Sequence, residues 1–73
     1  MKKGVRATIV CEMAFELFEN GGFTEKGVIE KLEISRTSFF RGLSDFRCYL
    51  MEFRPWVELI FDTTKSCYTL RKL

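Results

Sequence analysis

The chain has 73 residues, enough for one small domain, and its 47% hydrophobic content with eight phenylalanines excludes an intrinsically disordered protein. The formal net charge of +2 and the pI near 8.5 give only a weak indication of nucleic-acid binding. The sequence contains no histidine, no CxxC pair and no run of about 18 apolar residues, which excludes the common zinc sites and predicts no membrane-spanning segment.

The first predicted helix covers residues 5–19. We assign to its core face the apolar side chains Ile9, Val10, Met13, Ala14, Leu17 and Phe18. The opposite face is predicted to be a solvent-exposed stripe of Glu12, Glu16 and Glu19, with Phe15 exposed beside it. Asn20-Gly21-Gly22 should end the helix, because glycine tolerates the positive φ common at helix C-termini. The basic residues Lys2, Lys3 and Arg6 either contact phosphate or belong to a disordered start.

Two further helices are predicted over 25–32 and 36–50, with Thr24 and Ser35 as their N-caps. The turn between them contains Ile34, which should fill the gap between the helices. In the third helix the 4-3-4 spacing places on the core side Phe39, Leu43, Phe46 and Leu50. The same spacing predicts a solvent-exposed side, opposite the core side, that consists of Thr37, Arg41, Ser44 and Cys48. Pro55 prevents this helix from continuing far.

From residue 57 to 71 the pattern changes to alternation with period two around the polar tetrapeptide 63–66, which predicts a β-hairpin. Pairing Phe61 with Tyr68 and Leu59 with Leu70 puts all four side chains on one face, so we expect that register. The predicted fold class is therefore mainly α with a small β-hairpin, a three-helix winged helix-turn-helix that forms a single domain over residues 1–73.

These residues resemble the N-terminal winged helix-turn-helix module of bacterial transcription regulators, among them WYL-domain, DeoR-type, BirA-type and Mga-type proteins. The resemblance covers about residues 8–72. It depends on Phe23-Thr24 at the start of helix two, Ile34-Ser35-Arg36 in the turn, Phe40-Arg41 in helix three and Tyr68-Thr69-Leu70 in the hairpin. Glu33 stands where these proteins often have glycine, and Gly42 where they usually have a polar residue.

The resemblance implies sequence-specific binding of double-stranded DNA by a bacterial or phage-type regulator, with the third helix in the major groove and the hairpin on the backbone. The candidate DNA-binding residues are Thr24, Ser35, Arg36, Thr37, Ser38, Phe40, Arg41, Ser44 and Lys65. Each of several residues also has an alternative role that does not involve DNA. The exposed face of helix three could be an ordinary solvated surface, and Ser35 could be only a helix cap. Phe40 could cover the edge of the core, and Lys65 could be simply solvated.

Family members usually carry a C-terminal sensor or dimerisation domain, so we expect the chain to be either a fragment of a larger regulator or a minimal stand-alone protein. The sequence shows no nucleophile with a nearby base and no Gly-rich phosphate loop, so we expect neither an enzyme nor a cofactor. We expect reduced, mostly packed thiols at Cys11, Cys48 and Cys67, and a cytoplasmic location.

The alternative function is a winged-helix adaptor that contacts a protein and does not bind DNA. It rests on the apolar side chains Tyr49, Met51, Phe53, Trp56 and Ile60, which exceed what one small core should hold. The same excess predicts a homodimer, because two modules would read paired half-sites.

Overall fold

The computed structural model describes residues 5–73, and the predicted element order is confirmed. Helix α1 covers Val5–Asn20, α2 covers Glu25–Leu32 and α3 covers Arg36–Phe53. Strands β1, Val57–Asp62, and β2, Cys67–Lys72, form an antiparallel hairpin. The chain is mainly helical with one small hairpin, in the layout of a winged helix. Lys2 and Lys3, predicted to contact phosphate or to be disordered, lie outside the described residues.

The helix boundaries follow from local chemistry. Gly21, with φ of +79°, ends α1, and its N–H donates to the Leu17 carbonyl at 3.0 Å. Thr24 caps α2 by accepting the Gly27 N–H at 2.9 Å. Helix α3 continues to Phe53 instead of ending at about residue 50, because the proline that stops it lies at position 55 and its capping residue is Arg54.

The hydrophobic core lies between the three helices and one face of the hairpin. It is formed by Ile9, Met13, Phe23, Val28, Phe39, Leu43, Phe46, Leu50 and Leu59. The predicted core side of α3 is confirmed in full, and Ile34 packs against the core as expected. Gly42 allows α1 to approach α3 closely, since a Cβ at this position would lie 2.4 Å from the Ile9 Cγ2 atom.

The predicted core face of α1 is partly wrong. Ala14 and Phe18 are exposed, and Phe18 retains 85% of its surface. Phe18 lies nine positions after the buried Ile9, which at 100° per residue puts the two on opposite sides of the helix. The acidic stripe is also wrong in part, because Glu12 and Glu16 face α2 and pair with Lys31 at 3.0 Å and 3.5 Å.

The hairpin has the predicted register, with Leu59 opposite Leu70 and Phe61 opposite Tyr68. Tyr68 also forms a backbone bridge to Phe23, with N–H···O distances of 3.0 Å and 2.7 Å, which adds a third short segment to the sheet. No local sequence pattern predicts this bridge. It holds the hairpin against the start of α2, where the Phe23 and Tyr68 rings stack with centroids 5.3 Å apart.

Two further expectations need correction. The three cysteines are free thiols, but Cys11 and Cys48 are exposed and Cys67 is half-buried, so they are not mostly packed. Among the apolar residues predicted to exceed the core, Ile60 of β1 is half-buried. The other four are exposed: Tyr49, Met51, Phe53 and Trp56.

Candidate nucleic-acid interface

One exposed face of α3 brings together five of the nine predicted DNA-binding residues. They line one shallow, open depression: Arg36, Thr37, Phe40, Arg41 and Ser44. The arrangement follows from the helical spacing, because residues three and four positions apart lie on one side. The opposite side of the helix is fixed by burial of Phe39 and Leu43, so this face must point to solvent.

Arg41 lies at the middle of this face. Its side chain is exposed, and it forms no ion pair with any side chain of residues 5–73. Thr37 and Ser44, four positions before and three positions after it, supply hydroxyl groups on the same side. A guanidinium with five donors beside two hydroxyl groups is suited to bind acceptor groups on base edges or phosphates.

Arg36, in contrast, is engaged within the protein. Its guanidinium pairs with the Glu25 carboxylate at the start of α2 and lies 5.5 Å from the centroid of the Phe40 ring. Glu25 therefore reduces the positive charge of this face. The hydrogen bond to Glu25 uses the Arg36 Nε atom, so the terminal NH groups can still contact a phosphate or a base, although Glu25 reduces the positive charge that Arg36 offers.

Phe40 packs against the edge of the core and leaves part of its ring exposed. Its ring packs edge-on against the buried Phe39, with centroids 5.1 Å apart, so it covers the edge of the core. About 40% of its surface remains exposed within the depression. That exposed part of the ring is available to a sugar or a thymine methyl group.

Ser35 and Ser38 are engaged in capping. The Ser35 hydroxyl accepts the Ser38 N–H at 3.0 Å, as predicted for the N-cap of α3, and also lies 3.1 Å from the Ser38 hydroxyl. The two serines line a different depression, which they share with Thr8 and Ile9 of α1. They are thus separated from the depression around Arg41.

Thr24 and Lys65 line a third depression, between the end of α1, the start of α2 and the hairpin. The Lys65 backbone is held at the hairpin tip, because the Asp62 carboxylate accepts the N–H groups of Thr64 and Lys65 at 2.9 Å and 3.3 Å. The Lys65 side chain is exposed, and Glu16 is the one carboxylate that lines the same depression. An anion in this depression could contact one cation, the Lys65 ammonium group, and the positive end of the α2 dipole.

Two further arginines, Arg6 and Arg71, are engaged in ion pairs within the protein. Arg6 donates two hydrogen bonds to the Asp45 carboxylate, at 2.7 Å and 2.8 Å, which hold the pKa of Asp45 below its usual value. Arg71 pairs with Glu58 across the hairpin. The cations that line the depressions of the candidate interface are Arg41, Arg36, whose charge Glu25 reduces, and Lys65.

Among residues 5–73, no cluster of metal-binding side chains occurs and no helix is long and apolar enough to cross a membrane. No family model matches the chain, and no curated protein or solved structure is detectably similar to it.

Proposed function

We propose that the chain is the DNA-binding module of a transcription regulator and that α3 enters the major groove of double-stranded DNA. The observation that carries this proposal is the exposed face of α3, where Arg41, free of ion pairs within residues 5–73, lies between two hydroxyl side chains in one shallow depression. In a helix-turn-helix protein this is the face that contacts base edges.

The hairpin and α2 supply the backbone contacts in this proposal. Lys65 at the hairpin tip and the N-terminus of α2 at Thr24 line one depression, which suits a phosphate. The resemblance to winged helix-turn-helix modules of bacterial regulators supports the same assignment. In this proposal the chain is not an enzyme and is located in the cytoplasm. It acts as a homodimer, or together with a sensor domain or a partner protein.

Binding should be weak and dependent on salt. Each phosphate that is neutralised contributes about 0.9 to the slope of log K against log salt. With Arg41, Lys65 and Arg36 engaged, we expect a slope of about −2 to −3 for one chain. Fluorescence anisotropy of a labelled random-sequence duplex at two salt concentrations measures it. An affinity that does not change between low and physiological salt would contradict this mode of binding.

The variant Arg41→Ala separates binding from folding. Its side chain is exposed, so the free energy of unfolding should change by no more than about 0.5 kcal/mol. If the guanidinium binds a guanine, its loss costs about 1–3 kcal/mol and relaxes preference at one base position. If it binds only phosphate, all duplexes weaken alike and the salt slope falls by about one.

Arg54→Ala is the matched control, because it removes the same charge at the far end of α3 and should leave binding close to that of the parent. Phe39→Ala should instead unfold the domain, since it empties a site that is fully buried, at about 3–5 kcal/mol. If Arg41→Ala binds every duplex as well as a parent that binds measurably, α3 is not the reading helix.

A protein-binding adaptor is the second candidate. It is favoured by the exposed side chains Tyr49, Met51, Phe53 and Trp56, which are more large apolar residues than DNA binding requires. The pairing of Arg36 with Glu25 also lowers the positive charge of the α3 face. The adaptor function predicts no salt-dependent binding of any duplex, so the same anisotropy measurement distinguishes the two.

A further inference from the structure

Helix α1 carries a second apolar face on the side that points away from the core. We call it the outer α1 face, and it consists of the exposed residues Ala7, Cys11, Ala14, Phe15 and Phe18. Four of these residues follow a 4-3-4 spacing, the pattern of a helix–helix seam, and none is charged. Phe15 and Phe18 retain 60% and 85% of their surface, and together with Ala14 they line an apolar depression.

The side chains of this face differ in size along the helix. The N-terminal half has the small residues Ala7 and Cys11, and the C-terminal half has the two rings. In an antiparallel pair with a two-fold axis between Cys11 and Ala14, the Phe18 ring of one copy would lie opposite Ala7 of the other. The face is therefore complementary to itself in this direction, as an isologous two-fold contact requires.

We propose that a second copy of this chain packs antiparallel on the outer α1 face. The flank of the face supports the same partner, because Val10 and Leu17 are half-buried on one side of α1. In an antiparallel pair of helices the same flank of each helix faces its counterpart, so Val10 of one copy lies beside Leu17 of the other. A parallel pair would instead place Ala7 against Ala7 and leave a gap.

The area limits the strength of this contact. A fully buried aromatic side chain contributes about 150–250 Å². Phe15 and Phe18 retain only part of their surface, so the four rings of a dimer supply about 600 Å². A stable interface buries roughly 1,200 Å² or more in total, and the small side chains supply only part of the difference. The dimer is therefore weak and depends on protein concentration.

The exposed apolar residues near the end of α3 are a poorer dimer surface. Tyr49 and Met51 are two positions apart, which puts them about 200° apart on the helix, so they do not share one face. Tyr49 packs on Phe53 with ring centroids 5.1 Å apart. The outer α1 face, by comparison, is one continuous stripe.

Sedimentation velocity of the full chain, without DNA, from low to high micromolar concentration tests the proposal. The result is independent of whether α3 binds DNA, because no DNA is present and only self-association changes the sedimentation coefficient with concentration. We expect a concentration-dependent dimer in the parent and a dimer weakened about tenfold or more in Phe18→Ser, because each dimer loses two rings. A parent that remains monomeric at high micromolar concentration overturns the proposal.

Met51→Ser is the matched control, since Met51 is 77% exposed on another surface. At a protein concentration low enough for the parent to be monomeric, both variants should retain its helical circular dichroism and its melting temperature, because both side chains are exposed. A dimer that persists in Phe18→Ser, or that is lost in Met51→Ser instead, overturns the proposal.

Cross-linking tests the direction of the pair. In the antiparallel dimer the two Cys11 residues are offset by three positions, about 4–5 Å along the helices, so a short bis-maleimide should link Cys11 to Cys11. The thiols introduced by Ala7→Cys are offset by eleven positions, about 16 Å, and should not be linked to each other. A link between the two introduced thiols at position 7, mapped by mass spectrometry, would indicate a parallel pair and overturn the antiparallel arrangement.

Discussion

Replacing Gly42 by alanine should destabilise the protein, although alanine is the better helix former. The added Cβ would lie 2.4 Å from the Cγ2 atom and 2.9 Å from the Cβ atom of Ile9. Both atoms are close to the backbone of α1, and Ile9 is fully buried, so neither can move aside without shifting the helix. Overpacking of this kind costs about 1–3 kcal/mol, sometimes more.

The gain in helix propensity offsets part of that cost. Glycine is about 1 kcal/mol less favourable than alanine within a helix. Contacts this short put the overpacking cost in the upper part of its range, at about 2–3 kcal/mol. We therefore expect Gly42→Ala to lower the free energy of unfolding by about 1–2 kcal/mol, which is roughly 5–15 °C in the melting temperature of a domain this small. Thermal and urea unfolding followed by circular dichroism measure the effect.

A double-mutant cycle with Ile9→Ala isolates the contact. Ile9→Ala alone should cost about 2–5 kcal/mol through the cavity that it leaves, and the methyl group of Gly42→Ala would occupy part of that cavity. The double variant should then be more stable than the sum of the single effects predicts, by about 1–2 kcal/mol. Ser44→Ala, exposed on the same helix, is the control for propensity alone. If Gly42→Ala raises the melting temperature as Ser44→Ala does, the close approach of α1 and α3 is refuted.

Glu33→Gly should stabilise the chain by about 0.5–1 kcal/mol, because Glu33 has a φ of 54° that glycine adopts without strain; a lower urea midpoint would contradict this. Ser35→Ala should lower the free energy of unfolding by about 1 kcal/mol through loss of the α3 cap, and Ser35→Asp, which restores an acceptor, should recover most of it. The hydrogen bonds from Arg6 hold the pKa of Asp45 below its unfolded value, so the stability that this pair contributes is present above about pH 4 and is lost as the pH falls through the folded pKa. Asp45→Asn should remove the part of the acid dependence of stability that comes from this ion pair. If the stability of the parent and of Asp45→Asn falls identically with pH, the ion pair makes no such contribution.

The sequence was sufficient for the elements that local patterns determine. The caps at Thr24 and Ser35 need only a hydroxyl before a helix, and the hairpin register follows from period-two alternation around a polar turn. The wet face of α3 was predictable for the same reason. Phe39 and Leu43 fix the core side, and Arg41 must then point away from it.

The errors occurred where a pattern was ambiguous or a partner was distant. Helix α1 has apolar residues around most of its circumference, so its pattern allowed more than one core face. The spacing of nine residues already puts Ile9 and Phe18 on opposite sides, and assigning both to the core face was the error. The pairing of Arg36 with Glu25 joins two helices across the turn and depends on their relative placement, which no local spacing reports. The engagement of Arg36, and with it the charge of the candidate interface, was therefore visible only in three dimensions.

The bridge between Phe23 and Tyr68 also affects the tendency of the protein to aggregate. A hairpin has two open edges, and exposed edges recruit strands from other chains. Here the Tyr68 backbone groups on the β2 edge are already paired with Phe23, while on the β1 edge the Val57 N–H donates to the Arg54 carbonyl at 3.1 Å. A strand that added along Tyr68, or at the start of β1, would have to break these hydrogen bonds. The bridge therefore hinders strand addition in the middle of the β2 edge.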